Sequence, residues 1–175
     1  RVDKNGTPVT ATYTPTVTKV TPTSTPATST GLQGQPQTGS PSFTPGDPEV
    51  PMDDSVPMTF EDGSTTKSVP GVGDYSINPD GSITFTPDKQ FKGETPEISI
   101  SRKDANGIAA KVTYIATVTS VTPTGTNVTS TGPQGLPQTG TPTFQGGDPL
   151  VPIDEAVTPT FEDGTTEKVV PGEGT

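Results

Sequence analysis

Apolar and polar residues alternate most clearly in the segments 75–77 and 82–86, on either side of the tetrapeptide NPDG at 78–81. Alternation with a period of two places every second side chain on one face of a β-strand. Proline fixes φ near the value that a tight turn needs, and glycine tolerates positive φ. The pattern therefore predicts a β-hairpin over residues 75–86, and Pro87 is expected to end its second strand.

Two further strands are predicted after this hairpin. Ile98 and Ile100 fall on one face of the segment EISIS, and the turn RKDANG leads into a longer alternating segment. There every second residue from Val112 to Val118 is apolar, which indicates the last strand of a domain continuing toward the next one. Phe91, in the loop PDKQFKG, is expected to close one end of the core.

The first half of the chain is richer in turns. Phe43 and Phe60 are isolated aromatic residues in polar surroundings, so each is expected to anchor a loop or short strand to the core. The segments MTFEDG and TTKSVPG favour another hairpin, across residues 61–63. No segment has the i, i+3, i+4 apolar spacing of an amphipathic helix. These patterns predict an all-β fold, an antiparallel β-sandwich. The segment NPDGSITFTPDKQFKGE at 78–94, followed by DANG at 104–107, resembles the second half of bacterial Ig-like and cadherin-like repeats, which implies Ig-like or cadherin-like β-sandwich repeat domains in tandem.

Composition agrees with this class. Apolar residues form only 25% of the 175-residue chain, and 42 residues (22 plus 20) are proline or glycine, so the cores must be thin. Charged residues are only 17%, whereas disordered segments usually combine low hydrophobicity with high charge. Abundant threonine, which is β-branched, suits a half-exposed pleated surface.

The chain repeats itself with an offset of 101 residues. Residues 1–74 align with residues 102–175 without a gap, and 44 of these 74 pairs are identical. Such a match is expected for tandem copies of one fold, and the period fits an independent domain. We therefore predict residues 1–17 as the C-terminal strand of a preceding repeat, 18–118 as a complete β-sandwich repeat, and 119–175 as the N-terminal part of the following repeat.

One phrase rich in glycine, proline and glutamine occurs in both copies. It reads TSTGLQGQPQTGSPSF at 28–43 and TSTGPQGLPQTGTPTF at 129–144. Glycine and proline at fixed positions indicate required backbone angles. We expect an ordered loop near the N-terminal end of the domain, in which the amides of Gln33 and Gln37 bond backbone groups without sheet partners. A flexible linker is the alternative, but a linker tolerates change.

No catalytic, cofactor-binding or metal-binding residues are predicted, and no enzyme is expected. The chain contains neither histidine nor cysteine, which removes the most common general base and the Ser–His and Cys–His nucleophile pairs. A glycosidase dyad of carboxylates would need a pocket lined by aromatic residues, and the chain has no tryptophan. The net charge of −10 disfavours nucleic acid and anionic membranes as partners.

Acidic residues cluster near turns, so calcium is an alternative to the expectation of no cofactor. The residues concerned are Asp53, Asp54, Glu61, Asp62, Asp80, Asp104, Asp154 and Glu155. Calcium takes six to eight oxygen ligands, but the spacing of an EF-hand does not occur in the sequence. Asp-Gly and Asn-Gly are ordinary turn dipeptides, so turn formation is the expected role.

Two other motifs have a functional alternative. Residues 136–140 read LPQTG, a sortase pattern, but neither a hydrophobic stretch nor a basic tail follows it. We interpret it as part of a structural loop. Lys89 or Lys111 could form an isopeptide bond with an asparagine, although Thr10 stands in place of Lys111 in the first copy.

The order of the motifs resembles a known family. TVTxVTPT, TSTGxQGxPQTGxPxF, GDPxVP, FEDG and VPGxG follow one another in both copies, as in the CshA-type fibril repeat of streptococcal and related Gram-positive surface adhesins. The resemblance covers essentially the whole chain. It implies repeats stacked into a stalk that is anchored to the bacterial cell wall. It also implies neighbouring repeats as partners, with host or bacterial surface ligands bound by other regions of the parent protein.

Three functions compete at this point. The first is the structural stalk of a surface adhesin, which projects an adhesive region from the cell. The second is a repeat that itself binds a host glycoprotein or sugar, which the low aromatic content disfavours. The third is a fibre whose subunits pair by strand exchange, because residues 1–74 and 102–175 are equivalent and either could complete the hairpin at 75–100.

Overall fold

The structure, a computed structural model, describes residues 1–173, and in that range the regular elements are thirteen β-strands. Their bounds are β1 (Thr23–Thr25), β2 (Ala27–Leu32), β3 (Gln37–Gly39), β4 (Ser42–Thr44), β5 (Thr59–Phe60), β6 (Thr66–Val69), β7 (Gly73–Ile77), β8 (Ile83–Pro87), β9 (Gly93–Glu94), β10 (Ile98–Lys103), β11 (Ala109–Thr119), β12 (Thr124–Thr126) and β13 (Thr143–Gln145).

Two sheets build the sandwich. The first has the strand order β2-β11-β10-β5, with β9 pairing the C-terminal part of β11, and the second has the order β3-β8-β7-β6. Two short pairs, β1–β4 and β12–β13, lie outside these sheets. The strand pairs are antiparallel with one exception, the parallel pair β2–β11. The predicted all-β sandwich is confirmed, with one parallel pair in an otherwise antiparallel structure.

The core lies between the two sheets and follows the alternation seen in the sequence. In β11 every second residue from Ala110 to Val118 is buried, and Ile98 and Ile100 of β10 are buried beside them. From the second sheet, Tyr75 and Phe85 enter the core with stacked rings whose centroids are 4.6 Å apart. Burial of these alternating side chains removes apolar surface from water, which is the main force that holds the sheets together.

The predicted hairpin is confirmed as β7 and β8, which pair from Gly73↔Pro87 to Ile77↔Ile83. Phe91 packs against the core, with its ring perpendicular to that of Phe85 at 6.5 Å between centroids. Phe60 is buried and Phe43 is packed against the core, as predicted for the two isolated aromatic residues. The period-two pattern therefore located the hairpin correctly, and the isolated aromatic residues correctly indicated contacts with the core.

The hairpin predicted across residues 61–63 is wrong. A turn does form there, because the Phe60 N–H donates to the Ser64 carbonyl at 2.9 Å. However, β5 pairs with β10 in the first sheet, whereas β6 pairs with β7 in the second. The turn is therefore a corner between the sheets. Each of the two strands is only two to four residues long, too short for its pattern to show which sheet it joins.

The segments that flank the sandwich are more exposed. Residues 1–17 contain an isolated bridge between Val2 and Pro8 rather than a strand. Tyr13 is 88% exposed, whereas its counterpart Tyr114, in β11, is fully buried in the core. At the other end, β12 and β13 pair as Thr124↔Gln145. This register matches Thr23↔Thr44 of β1 and β4 after the 101-residue shift.

Candidate functional site

The first and last strands of the sandwich lie side by side and run in the same direction. Six Cα pairs connect β2 with β11, from Ala27↔Tyr114 to Leu32↔Thr119. Before this ladder, the Ser24 hydroxyl donates to the Lys111 carbonyl at 2.6 Å. After it, the Gln33 N–H donates to the Thr119 carbonyl at 2.9 Å. We call this contact between residues 24–33 and residues 111–121 the seam.

The turn that follows β2 explains one of the repeated glycines. The Gln35 N–H donates to the Leu32 carbonyl at 3.0 Å, and Gly34, at the third position of this turn, has a φ of 75°. A type II turn requires positive φ at that position, which glycine adopts without steric cost. In the second copy Gly135 has a φ of 81° at the same position. The repeated phrase therefore encodes a defined turn, not a flexible linker.

A chain of partly buried hydrogen bonds links the two sheets across the seam. The Ser29 hydroxyl donates to Gln37 Oε1 at 2.5 Å and lies 2.6 Å from the Tyr114 hydroxyl. A hydroxyl has one proton, so Tyr114 donates to Ser29. Gln37, which is only 7% exposed, then donates from Nε2 to the Thr117 carbonyl at 3.3 Å. Each of these wholly or partly buried polar groups thus has a hydrogen-bond partner, which avoids the cost of an unpaired buried polar atom.

Gly39 of β3 is required for a different reason. A Cβ atom at this position would overlap the ring of Tyr114. The glycine therefore lets β3 approach the ring of Tyr114, the buried tyrosine of the seam. Burial raises the pKa of Tyr114, whereas its hydrogen bond with Ser29 acts in the opposite direction. A tyrosine is already neutral at physiological pH, so Tyr114 can donate its hydroxyl proton to Ser29.

Gln33 holds the chain where it leaves the sandwich. Its Oε1 accepts from the Val121 N–H at 3.3 Å, and its Nε2 donates to the Lys89 carbonyl at 3.0 Å. Gln35 reaches further and donates to the Leu150 carbonyl of the following segment at 3.0 Å. The prediction that these glutamine amides bond backbone groups is confirmed for Gln33 and Gln37. The predicted location is wrong: because β2 runs parallel to β11, the turn lies at the C-terminal exit of the repeat.

The acidic residues singled out in the sequence mostly shape turns. The Oδ1 atoms of Asp53, Asp62 and Asp80 each accept from the backbone N–H and the hydroxyl of the serine two residues later. These bonds, first of all those from the serine hydroxyls, lower the pKa of the three carboxyl groups. Buried Asp104 accepts from the N–H groups of Asn106 and Ile108.

The other acidic residues are spread over the surface. Asp54 pairs with Arg102, Glu61 pairs with Lys67 at 2.9 Å, and Asp154 accepts from the Ala156 N–H. Glu155 is exposed. Within residues 1–173 no three acidic side chains converge as a metal site would need. Calcium binding stays a prediction. The hydrogen bonds described above show most of these acidic residues in turns.

The remaining motifs lie on the surface. Leu136, the first residue of LPQTG, is 61% exposed and closes the turn that starts at Pro133. Lys89 and Lys111 are exposed, and their backbone carbonyls accept from Gln33 and Ser24. An open cleft at one end of the sandwich is lined by Pro57, Asn78 and Arg102 among others. In the described part of the chain, no helix is long and apolar enough to cross a membrane.

The fold and the 101-residue repetition define a protein built from tandem β-sandwich modules, a class that includes the repeats of surface adhesins. Comparison with family models agrees: the model described as the surface adhesin CshA repetitive domain matches residues 19–118 and again residues 120–175. The chain belongs to this family, which confirms the resemblance found in the sequence. It is thus a tandem repeat segment of the adhesin type.

A solved structure is similar to part of the chain. It is the NMR structure of repeat domain 13 of the fibrillar adhesin CshA from Streptococcus gordonii, at 53% sequence identity. The match covers 39% of this chain and 87% of that chain, with a TM-score of 0.23. The comparison with curated proteins gave no match.

Proposed function

We propose that this chain is part of the stalk of a cell-wall-anchored fibrillar adhesin, in which the repeats hold an adhesive region away from the bacterial surface. One observation carries the proposal: the chain enters and leaves the complete repeat at opposite ends of the seam. Entry lies beside Lys111 and exit beside Gln33. From residue 111 to residue 119 an extended strand spans roughly 26 Å, at about 3.3 Å per residue. Each added repeat therefore lengthens the protein.

The connection to the next repeat supports extension. β11 ends at Thr119 and β12 begins at Thr124, so four residues join them, including Pro123. A Cβ atom on Gly147 would overlap the backbone of Thr122, so the following repeat packs directly on this connection. A short, packed connection that contains proline favours a continuous rod over modules that fold back on one another.

The remaining features fit a passive surface element. The charge of −10 makes neighbouring fibres repel one another and keeps them soluble. In this proposal the repeats catalyse no reaction, take no cofactor and bind chiefly their neighbours in the same chain. Host or bacterial surface ligands are bound by other regions of the parent protein, and the stalk lies outside the cell, at the wall.

Small-angle X-ray scattering tests the stalk. Proteins with two and four complete repeats are compared, and the maximum dimension is expected to rise linearly with repeat number. Equal dimensions for the two proteins would exclude a rod. Binding of the 175-residue chain to host matrix glycoproteins would favour the repeat as a binder. A mass in light scattering that rises with concentration would favour assembly by strand exchange.

A further inference from the structure

We propose that the seam is a mechanical clamp, which keeps each repeat folded when the fibre is pulled along its length. The inference goes beyond the stalk as a spacer, and its biological meaning rests on the proposed stalk function. It assigns to β2 and β11 a task distinct from that of the other strands: they carry the tension between one repeat and the next.

The direction of the two strands decides how tension acts. The upstream chain pulls the N-terminal end of the seam through Ser24, and the downstream chain pulls the C-terminal end of β11 through Thr119. Because β2 and β11 are parallel, these two pulls are opposed along the strand axis. The seam is therefore loaded in shear.

Shear distributes the load over the whole ladder. The hydrogen bonds of a parallel pair are evenly spaced along the strands, so opposed pulling along the axis strains all six residue pairs of β2 and β11 together. If both strands were pulled at the same end, the bonds would break one after another from that end. The same folded state thus resists force strongly in one direction and weakly in the other.

Side chains reinforce the seam along its length. Ser24 bonds Lys111 at the entry, and Gln33 bonds the Val121 N–H at the exit. Between them, the bonds from Tyr114 through Ser29 and Gln37 to the Thr117 carbonyl cross the seam and return to β11. These contacts join the seam to the second sheet.

The strand that receives the load is itself supported. On its other side β11 pairs with β10 over residues 109–114 and with β9 at residues 117 and 118.

The repeated motifs TSTG and TVT belong to the two sides of the seam, at 28–31 and 117–119. TVT also stands at 16–18 and TSTG at 129–132, and the clamp gives a physical reason for their recurrence.

The test is single-molecule force spectroscopy with two pulling directions. The chain contains no cysteine, so two introduced cysteines give unique attachment points in the full chain. Lys19→Cys with Ser120→Cys pulls the seam in shear, whereas Gln35→Cys with Ser120→Cys pulls β2 and β11 apart from the exit end. Pro36→Cys with Ser120→Cys is a second pair of the latter kind, which controls for the loss of the Gln35 amide. Thermal unfolding of each variant first establishes that it folds.

At equal pulling speed, the unfolding force in shear is expected to exceed that in the other direction by at least about twofold, because the residue pairs break together. Equal forces with both exit-end pairs would overturn the clamp. The scattering experiment is independent of this result. A twofold difference in force without linear growth in dimension would keep the clamp and reject the stalk, and the converse would keep the stalk and reject the clamp.

Discussion

Tyr75 and Tyr114 meet edge to face across the core, with ring centroids 6.2 Å apart and ring planes at 87°. Both hydroxyl groups are buried, but they differ in their partners. Tyr114 bonds Ser29, whereas the Tyr75 hydroxyl has no hydrogen bond among residues 1–173, although the Thr95 hydroxyl is a neighbour. The two tyrosines therefore form a matched pair of buried phenols, one satisfied and one not.

Replacing each tyrosine by phenylalanine should separate these two cases. Tyr114→Phe removes a made hydrogen bond and is expected to lower the free energy of unfolding by about 1–2 kcal/mol. Tyr75→Phe removes an unpaired buried hydroxyl and should change it by less than about 0.5 kcal/mol, or raise it. Urea unfolding monitored by circular dichroism measures both. A larger loss for Tyr75→Phe would show that the assigned hydrogen bonds are wrong.

Gln37 allows the same comparison between the two copies. Gln37→Ala removes the bonds from a buried amide to Ser29 and to the Thr117 carbonyl, both of which are partly buried. We expect a loss of about 2 kcal/mol in the free energy of unfolding. Gln138→Ala removes the equivalent bond to Ser130 on an exposed surface and should cost less than about 0.5 kcal/mol. Equal effects on the main unfolding transition would contradict the role assigned to Gln37.

Gly39 is predicted to be intolerant of even one added methyl group. In Gly39→Ala the Cβ atom overlaps the Tyr114 ring, so the strand or the ring must shift, at a cost of about 1–3 kcal/mol. Thr38→Ala, at the neighbouring exposed position of β3, is the control and should change stability little. The midpoint of thermal unfolding distinguishes them. An unchanged midpoint in Gly39→Ala would mean that β3 does not pack as closely as described.

Acid should destabilise the repeat through its turn carboxylates. The folded-state pKa values of Asp53, Asp62 and Asp80 lie below the ordinary value of 3.8 because each ionised group accepts serine hydrogen bonds. A lowered folded pKa means stabilisation that is present above pH 3.8 and is lost as the pH falls through the folded value. The thermal midpoint is therefore expected to be nearly constant from about pH 7 to about pH 5 and to fall below about pH 4.

A triple variant tests the source of this acid sensitivity. Asp53→Asn, Asp62→Asn and Asp80→Asn together should flatten the fall, since the amide does not ionise. The matched control replaces the exposed residues Glu49, Glu94 and Glu97 by glutamine, which removes the same number of charges. If the fall of the thermal midpoint at low pH disappears equally in both triple variants, net charge and not the turns explains it.

The sequence predicted the strands whose alternation is strong and missed those built from threonine. The positions of Tyr75, Phe85 and every second residue of β11 follow from period-two burial. β2 and β3 were interpreted as loop because TSTG and QTG offer no large apolar residue. Ser29 of β2 and Gln37 of β3 bond each other, and Ser29 also bonds Tyr114, which lies 85 residues further along the chain. The parallel pairing was equally hidden, since period two is the same in either direction.

The candidate site shows the same division. The glycine, proline and glutamine residues at fixed positions were enough to predict an ordered segment whose glutamine side chains form hydrogen bonds. They did not place it at the exit of the repeat, because that depends on the offset of 87 residues between β2 and β11. The prediction of a hairpin across residues 61–63 was wrong for a related reason. A turn motif in the sequence does not show which sheet the next strand joins.

The chain enters the repeat at one end of β11 and leaves it at the other. This arrangement also affects how the number of repeats in the gene can change. Recombination that removes or inserts one whole 101-residue unit leaves every junction with the same short connection. The length of the proposed stalk would thus change in steps of one module, each with the same fold. In the proposed stalk, duplication of such a unit would therefore supply extra length without any new structure.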